Sequence, residues 1–97
     1  MVYVIQGGGG KNFNPALEFG QVYVMFPDGV MDVSPSKLLT IIEEEMEEFD
    51  PDKDHIVLTG DPMTIALVGY VILSKGFDKV SFLKWDNYTK KYRKVCV

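Results

Sequence analysis

Gly7, Gly8, Gly9 and Gly10 stand in a row ahead of Lys11, directly behind the apolar run Val2–Ile5. Consecutive glycines can bend backbone amides into a concave nest for an anion, and a neighbouring lysine adds a cation. The spacing nevertheless fits neither phosphate-binding fingerprint. A Walker loop ending in Gly10-Lys11 needs glycine where Ile5 stands, and Asn12 occupies the place of the magnesium-binding hydroxyl. The dinucleotide pattern started at Gly7 and Gly9 needs glycine at position 12, which is again Asn12. No long helical pattern follows, so no helix N-terminus is expected to face the loop. Gly7 to Lys11 are therefore a candidate anion site with two rivals, a flexible connection and a close backbone approach at an interface. A second glycine stretch, Gly60-Asp61-Pro62, lies between a strand end and a helix start, where α/β proteins bind ligands. Asp61 and Pro62 argue against phosphate there, because one brings negative charge and the other removes an amide.

The other chemistry-bearing stretch is KWDNYTKKYRK, which interleaves Lys84, Lys90, Lys91, Arg93 and Lys94 with Trp85, Tyr88 and Tyr92. Aromatic rings can stack bases while cations hold phosphates, so Lys84, Trp85, Tyr88, Lys90, Lys91 and Arg93 form a candidate site for single-stranded nucleic acid. The competing reading is an edge hairpin whose lysines discourage strand pairing and whose rings pack inward. Net charge of −4 weakens non-specific nucleic-acid binding. Glu43 to Asp54 hold eight acids opposed only by Lys53, a solvated helix face or a docking surface for a basic partner, the chain's own basic tail in another copy included. His55 is the single histidine and starts a strand, which suits a structural role. No paired acid and base, nucleophile motif or zinc-ligand spacing stands out, so no catalytic residue, metal or cofactor is assigned.

These residues must be positioned by short elements. Val2–Ile5 and Gln21–Phe26 read as strands, and Asn14-Pro15 as the start of about one helical turn. Pro27-Asp28-Gly29 is a turn signal that predicts a return strand over Val30–Val33. Ser34-Pro35 opens a helix to about Phe49, with Leu38, Ile41, Ile42, Met46 and Phe49 on one face. Asp61-Pro62 opens another to Lys75, with Gly76 placed to end it. His55–Thr59, Lys79–Trp85 and Tyr92–Val97 complete the strands. The pattern predicts one small α/β domain over residues 1–97, with a mixed sheet of about five strands, two main helices, one parallel βαβ crossover and a C-terminal antiparallel hairpin.

The helix 62–75 carries apolar residues all round. An amphipathic helix needs only a stripe slightly over 100° wide. This one needs cover on more than one side, either from the sheet together with the first helix or the 12–20 segment, or from a second copy of the chain. Small residues Ala66 and Gly69, with Tyr70 and Leu73, are the candidate dimer contacts around a two-fold axis.

Ninety-seven residues with 46% hydrophobic and 25% charged content fit one globular domain. The lone Cys96 rules out an internal disulfide framework and suits a reducing cytoplasm. No apolar run reaches the roughly 20 residues of a membrane span.

Phe13, Ala16 and Phe19-Gly20, then Asp54–Leu58, Gly60-x-Pro62, and Leu83-x-Trp85-Asp86 before Tyr92 together resemble a family of small proteins from tailed bacteriophages. The resemblance spans most of the chain, while the glycines at 7–10 depart from it. It implies a virus-encoded accessory protein in the bacterial cytoplasm and transfers no catalytic residue. The expected function is a non-enzymatic interaction protein, homodimeric, meeting a host or viral protein. The alternatives are a nucleotide- or anion-binding domain at Gly7–Lys11 and a single-strand binder at the 84–94 hairpin.

Overall fold

Alternation along Val2–Gln6 sends Tyr3 and Ile5 to one side of the strand and Val2 and Val4 to the other, and all four are buried. A strand apolar on both faces belongs inside a sheet covered on both sides. The computed structural model, which describes residues 1–8, 10–30 and 33–97, shows that arrangement. Five strands, β1 (Val2–Gln6), β2 (Val22–Phe26), β3 (His55–Val57), β4 (Ser81–Asp86) and β5 (Lys91–Cys96), form one sheet in the order β2-β1-β3-β4-β5. The first four strands are parallel, and β5 closes the edge antiparallel to β4. This is the mixed α/β sheet expected from the sequence.

The two helices, α1 (Pro35–Glu45) and α2 (Pro62–Ser74), share one face of the sheet. Leu38, Ile42, Val68, Val71 and Ile72 pack there with Tyr3, Ile5, Met25 and Ile56. Among the described residues, the helical cover of the opposite face is a short 3₁₀ segment, Asn14–Phe19, whose buried Ala16 closes over Val2, Val4, Val57 and Leu83. Both helices start as their sequences dictate. Ser34 Oγ accepts from the Lys37 amide, and Asp61 Oδ2 accepts from both the amide and the hydroxyl of Thr64. Gly76 takes φ 71° beyond α2, the left-handed conformation that ends a helix.

Several local expectations change. Val30 and Val33 form no strand; they pack into the α1–α2 core, and the remainder of the expected return arm, residues 31 and 32, lies outside the described residues. A hairpin partner is unnecessary because β2 pairs instead with β1, in parallel. α1 stops at Glu45, earlier than Phe49, and Met46 and Phe49 are buried from the turn beyond it. Acids crowding a helix C-terminus oppose its dipole, which favours the earlier stop. The short helix near Asn14 is 3₁₀, with Phe13 rather than Asn14 in the capping position.

Candidate functional site

The connection leaving β1 runs to the 3₁₀ face, whereas the connection leaving β3 enters α2 on the opposite face. The carboxyl ends of β1 and β3 are therefore the point where the winding reverses, the usual place for a ligand crevice in an open α/β sheet. Here the crevice is partly filled by Gln6. Its Oε1 accepts from the Asp61 amide at 2.9 Å, and its carbonyl accepts from the Thr59 hydroxyl at 2.7 Å. Gly60 passes so close, at φ 113°, that a Cβ there would collide with the Gln6 side chain. Only glycine fits that position.

The glycine loop spends part of its amide capacity internally. The Gly7 amide donates to the Phe26 carbonyl at 3.2 Å and the Lys11 amide to the Gly8 carbonyl at 3.3 Å. Gly8 and Gly10 take positive φ, and Gly9 lies outside the described residues. Lys11 instead reaches a hollow of about 300 Å³ that it lines with Asn12, Phe13, Thr59, Trp85 and Tyr92. Parts of both sequence candidates, the glycine loop and the basic hairpin, thus meet in one place.

The hollow exists because β3 is short. Its ladder with β4 ends at the pair Val57–Leu83, whereas β4 continues to Asp86 against β5. Beside the unpaired end of β4 a second hollow, about 430 Å³, shares Thr59, Trp85 and Tyr92 and extends past Leu58 and Lys84. Trp85 and Tyr92 are cross-strand partners, packed edge to face with centroids 5.1 Å apart. The Trp85 Nε1 proton goes to Asn87 Oδ1 at 2.9 Å, so the indole is held while 39% of the residue stays exposed. Burial pushes the Tyr92 hydroxyl above its ordinary pKa. Asp86 is held below its usual range, first by the Tyr88 amide that donates to it at 2.9 Å. Tyr88 itself is 99% exposed and joins neither hollow. Lys84, Lys90, Lys91 and Arg93 are all exposed, and Lys84 lines the second hollow. Asn12, Phe13 and Thr59 were not among the site residues named from the sequence, because each is ordinary by type and becomes a wall of the hollow only by convergence.

A third surface belongs to α2. Ala66, Gly69, Tyr70 and Leu73, the four candidate dimer contacts, line one wall of an apolar groove of about 610 Å³, with Phe77, Val80, Phe82 and Val97 opposite. The 12–20 segment sits across the sheet and cannot cover α2. α1 covers one flank, leaving Met63, Tyr70 and Leu73 more than half exposed, Leu73 at 82%. Gly69 has open space: among the described residues, a Cβ there would meet nothing within 4 Å.

The acids and the histidine lie elsewhere. Tyr23 donates its hydroxyl to Glu45 Oε2, which raises the Tyr23 pKa, beside a shallow polar cleft formed with Tyr3, Glu44, Glu47 and Glu48. His55 Nδ1 lies 2.6 Å from Ser81 Oγ across the β3–β4 pair, and Phe19 packs against its ring. Burial, then the charge of Lys94, lowers the His55 pKa. No helix among the described residues is long and apolar enough to cross a membrane. The model of one family, described as Phage Pam3 gp32-like protein, matches residues 1–97. No curated protein and no solved structure matches the chain.

Proposed function

The chain belongs to the Phage Pam3 gp32-like protein family, and from that premise we propose that it is an accessory protein of infection that acts through protein contacts as a homodimer. The α2 groove carries this reading. Soluble monomers rarely leave a contiguous apolar face open, and such faces mark interaction sites. Gly69 adds a specific reason for a close neighbour. Glycine inside a helix costs about 1 kcal/mol relative to alanine, and nothing among the described residues requires it at 69. A second helix crossing there would.

A second copy fits the face because residues 62–74 contain no charged side chain. A two-fold arrangement then sets no like charges against each other and brings Gly69 of each copy near the axis. A standard interface takes about 800 Å² from each partner, roughly an eighth of the 6271 Å² this chain exposes. The free, exposed Cys96 supports work in a reducing compartment, the cytoplasm of the infected cell. The acidic end near Glu44–Glu48 then remains for a basic host or viral partner.

The test is crosslinking at the axis. In a Cys96→Ser background, Tyr70→Cys, beside the crossing point, should link two copies in high yield through a short bismaleimide, without placing a side chain between the backbones at Gly69. Glu43→Cys, on α1, should not. Equal, low yields from both positions contradict the reading.

A further inference from the structure

The hollow beside Trp85 lies on the 3₁₀ face of the sheet, away from the α2 groove, and the dimer reading leaves it unused. We propose that it binds one nucleobase together with its phosphate. Three aromatic residues, Phe13, Trp85 and Tyr92, wall a space of about 300 Å³. That volume is at the lower end of small-molecule sites, suited to a single base rather than two. Stacking on such rings tolerates any base, since every base has a π-face. The Trp85 ring is already fixed by its bond to Asn87, so it offers a stacking surface with little ordering still to lose.

The polar groups match a base edge. Asn12 uses its Oδ1 to accept from the Asn14 amide at 3.0 Å, which leaves its side-chain NH₂ as donor. Thr59 donates its proton to Gln6, which leaves its oxygen as acceptor. One donor and one acceptor beside an aromatic wall can read the edge of a base. Lys11 on the same rim supplies the cation for a phosphate. Lys94 reaches that face too, since β5 alternates and Lys94 is two residues from Tyr92. The chain's excess acid does not oppose this, because the cleft of Glu44, Glu45, Glu47 and Glu48 lies around Tyr3 and Tyr23, over the other face.

The ligand chemistry is a nucleotide, present either free or within a single strand. Trp85 is the only tryptophan, so its fluorescence reports on the site directly. The intact protein is titrated at low salt with adenosine, AMP, UMP, inorganic phosphate and a ten-residue oligothymidylate. Saturable quenching by a nucleotide or the oligomer, with adenosine at least several-fold weaker than AMP, is expected. The tighter of AMP and the oligomer identifies the source. Lys11→Ala, in an exposed loop, should weaken binding several-fold, and Tyr92→Leu at least about fivefold, the lower bound of one stacking contact. Lys37→Ala, a lysine at the start of α1, should leave it unchanged. No saturable quenching at millimolar nucleotide, or affinities that Lys11→Ala and Lys37→Ala affect equally, overturn the proposal. Neither result bears on the dimer, which uses the other face.

Discussion

Gly60 shows how one residue fixes the geometry of the crevice. At Gly60 the chain takes φ 113° and passes against Gln6, whose side-chain amide oxygen then accepts a hydrogen bond from the Asp61 backbone amide. Gly60→Ala puts a methyl group into that contact and a side chain into a disfavoured backbone region. A loss of about 1–3 kcal/mol is expected from strain of this kind, measured as a lower urea midpoint. His55 supplies a pH dependence. Its folded pKa lies below the ordinary 6.5, so the unfolded chain binds the proton more readily. Its contribution is whole above pH 6.5 and is lost as pH falls through 6.5 toward the folded value. The urea midpoint should therefore drop between about pH 7.5 and about pH 5.5, and His55→Gln should flatten that slope. An unchanged slope in the variant would assign the effect to other groups.

At the scale of elements, α2 is held by its cap and by half of its circumference. Asp61→Ala removes the acceptor for two Thr64 protons and should cost about 1 kcal/mol in the thermal or urea midpoint. Gly69→Ala should act in opposite directions on two readouts. It should raise the stability of the monomer by about 0.5–1 kcal/mol, because alanine is the better helix former and the site is open. It should also weaken the dimer, by inserting a methyl group between backbones. The helix starts were legible because Ser34-Pro35 and Asp61-Pro62 act locally, through capping bonds within one turn. The partner of β2 was not legible. Pro27-Asp28-Gly29 favours a turn, but whether β2 pairs with the segment after that turn or with β1 depends on burial of the whole sheet. The Trp85 hollow was legible only in pieces. Lys11 and Trp85 stood out by type, while Phe13 and Thr59 gained meaning from topology that places residues far apart in sequence at one sheet end.

The whole molecule has distinct faces. Acids gather around Tyr3, Tyr23 and the end of α1; the basic hairpin and the aromatic hollow lie toward the β4–β5 edge; the apolar groove runs along α2. A chain of 97 residues buries a modest share of its surface, so an open apolar groove is a large area for it to leave in water. The proposed pairing through α2 would remove that exposure and leave the acidic end and the aromatic hollow facing outward. Sedimentation equilibrium at micromolar concentration is the sharpest test, comparing the native chain with Leu73→Lys, a change at a residue 82% exposed in the single chain. The native protein should sediment at twice its 11.0 kDa chain mass, and the variant, equally folded by circular dichroism, at the chain mass itself. A native protein that sediments as a single chain across that range would refute pairing through α2.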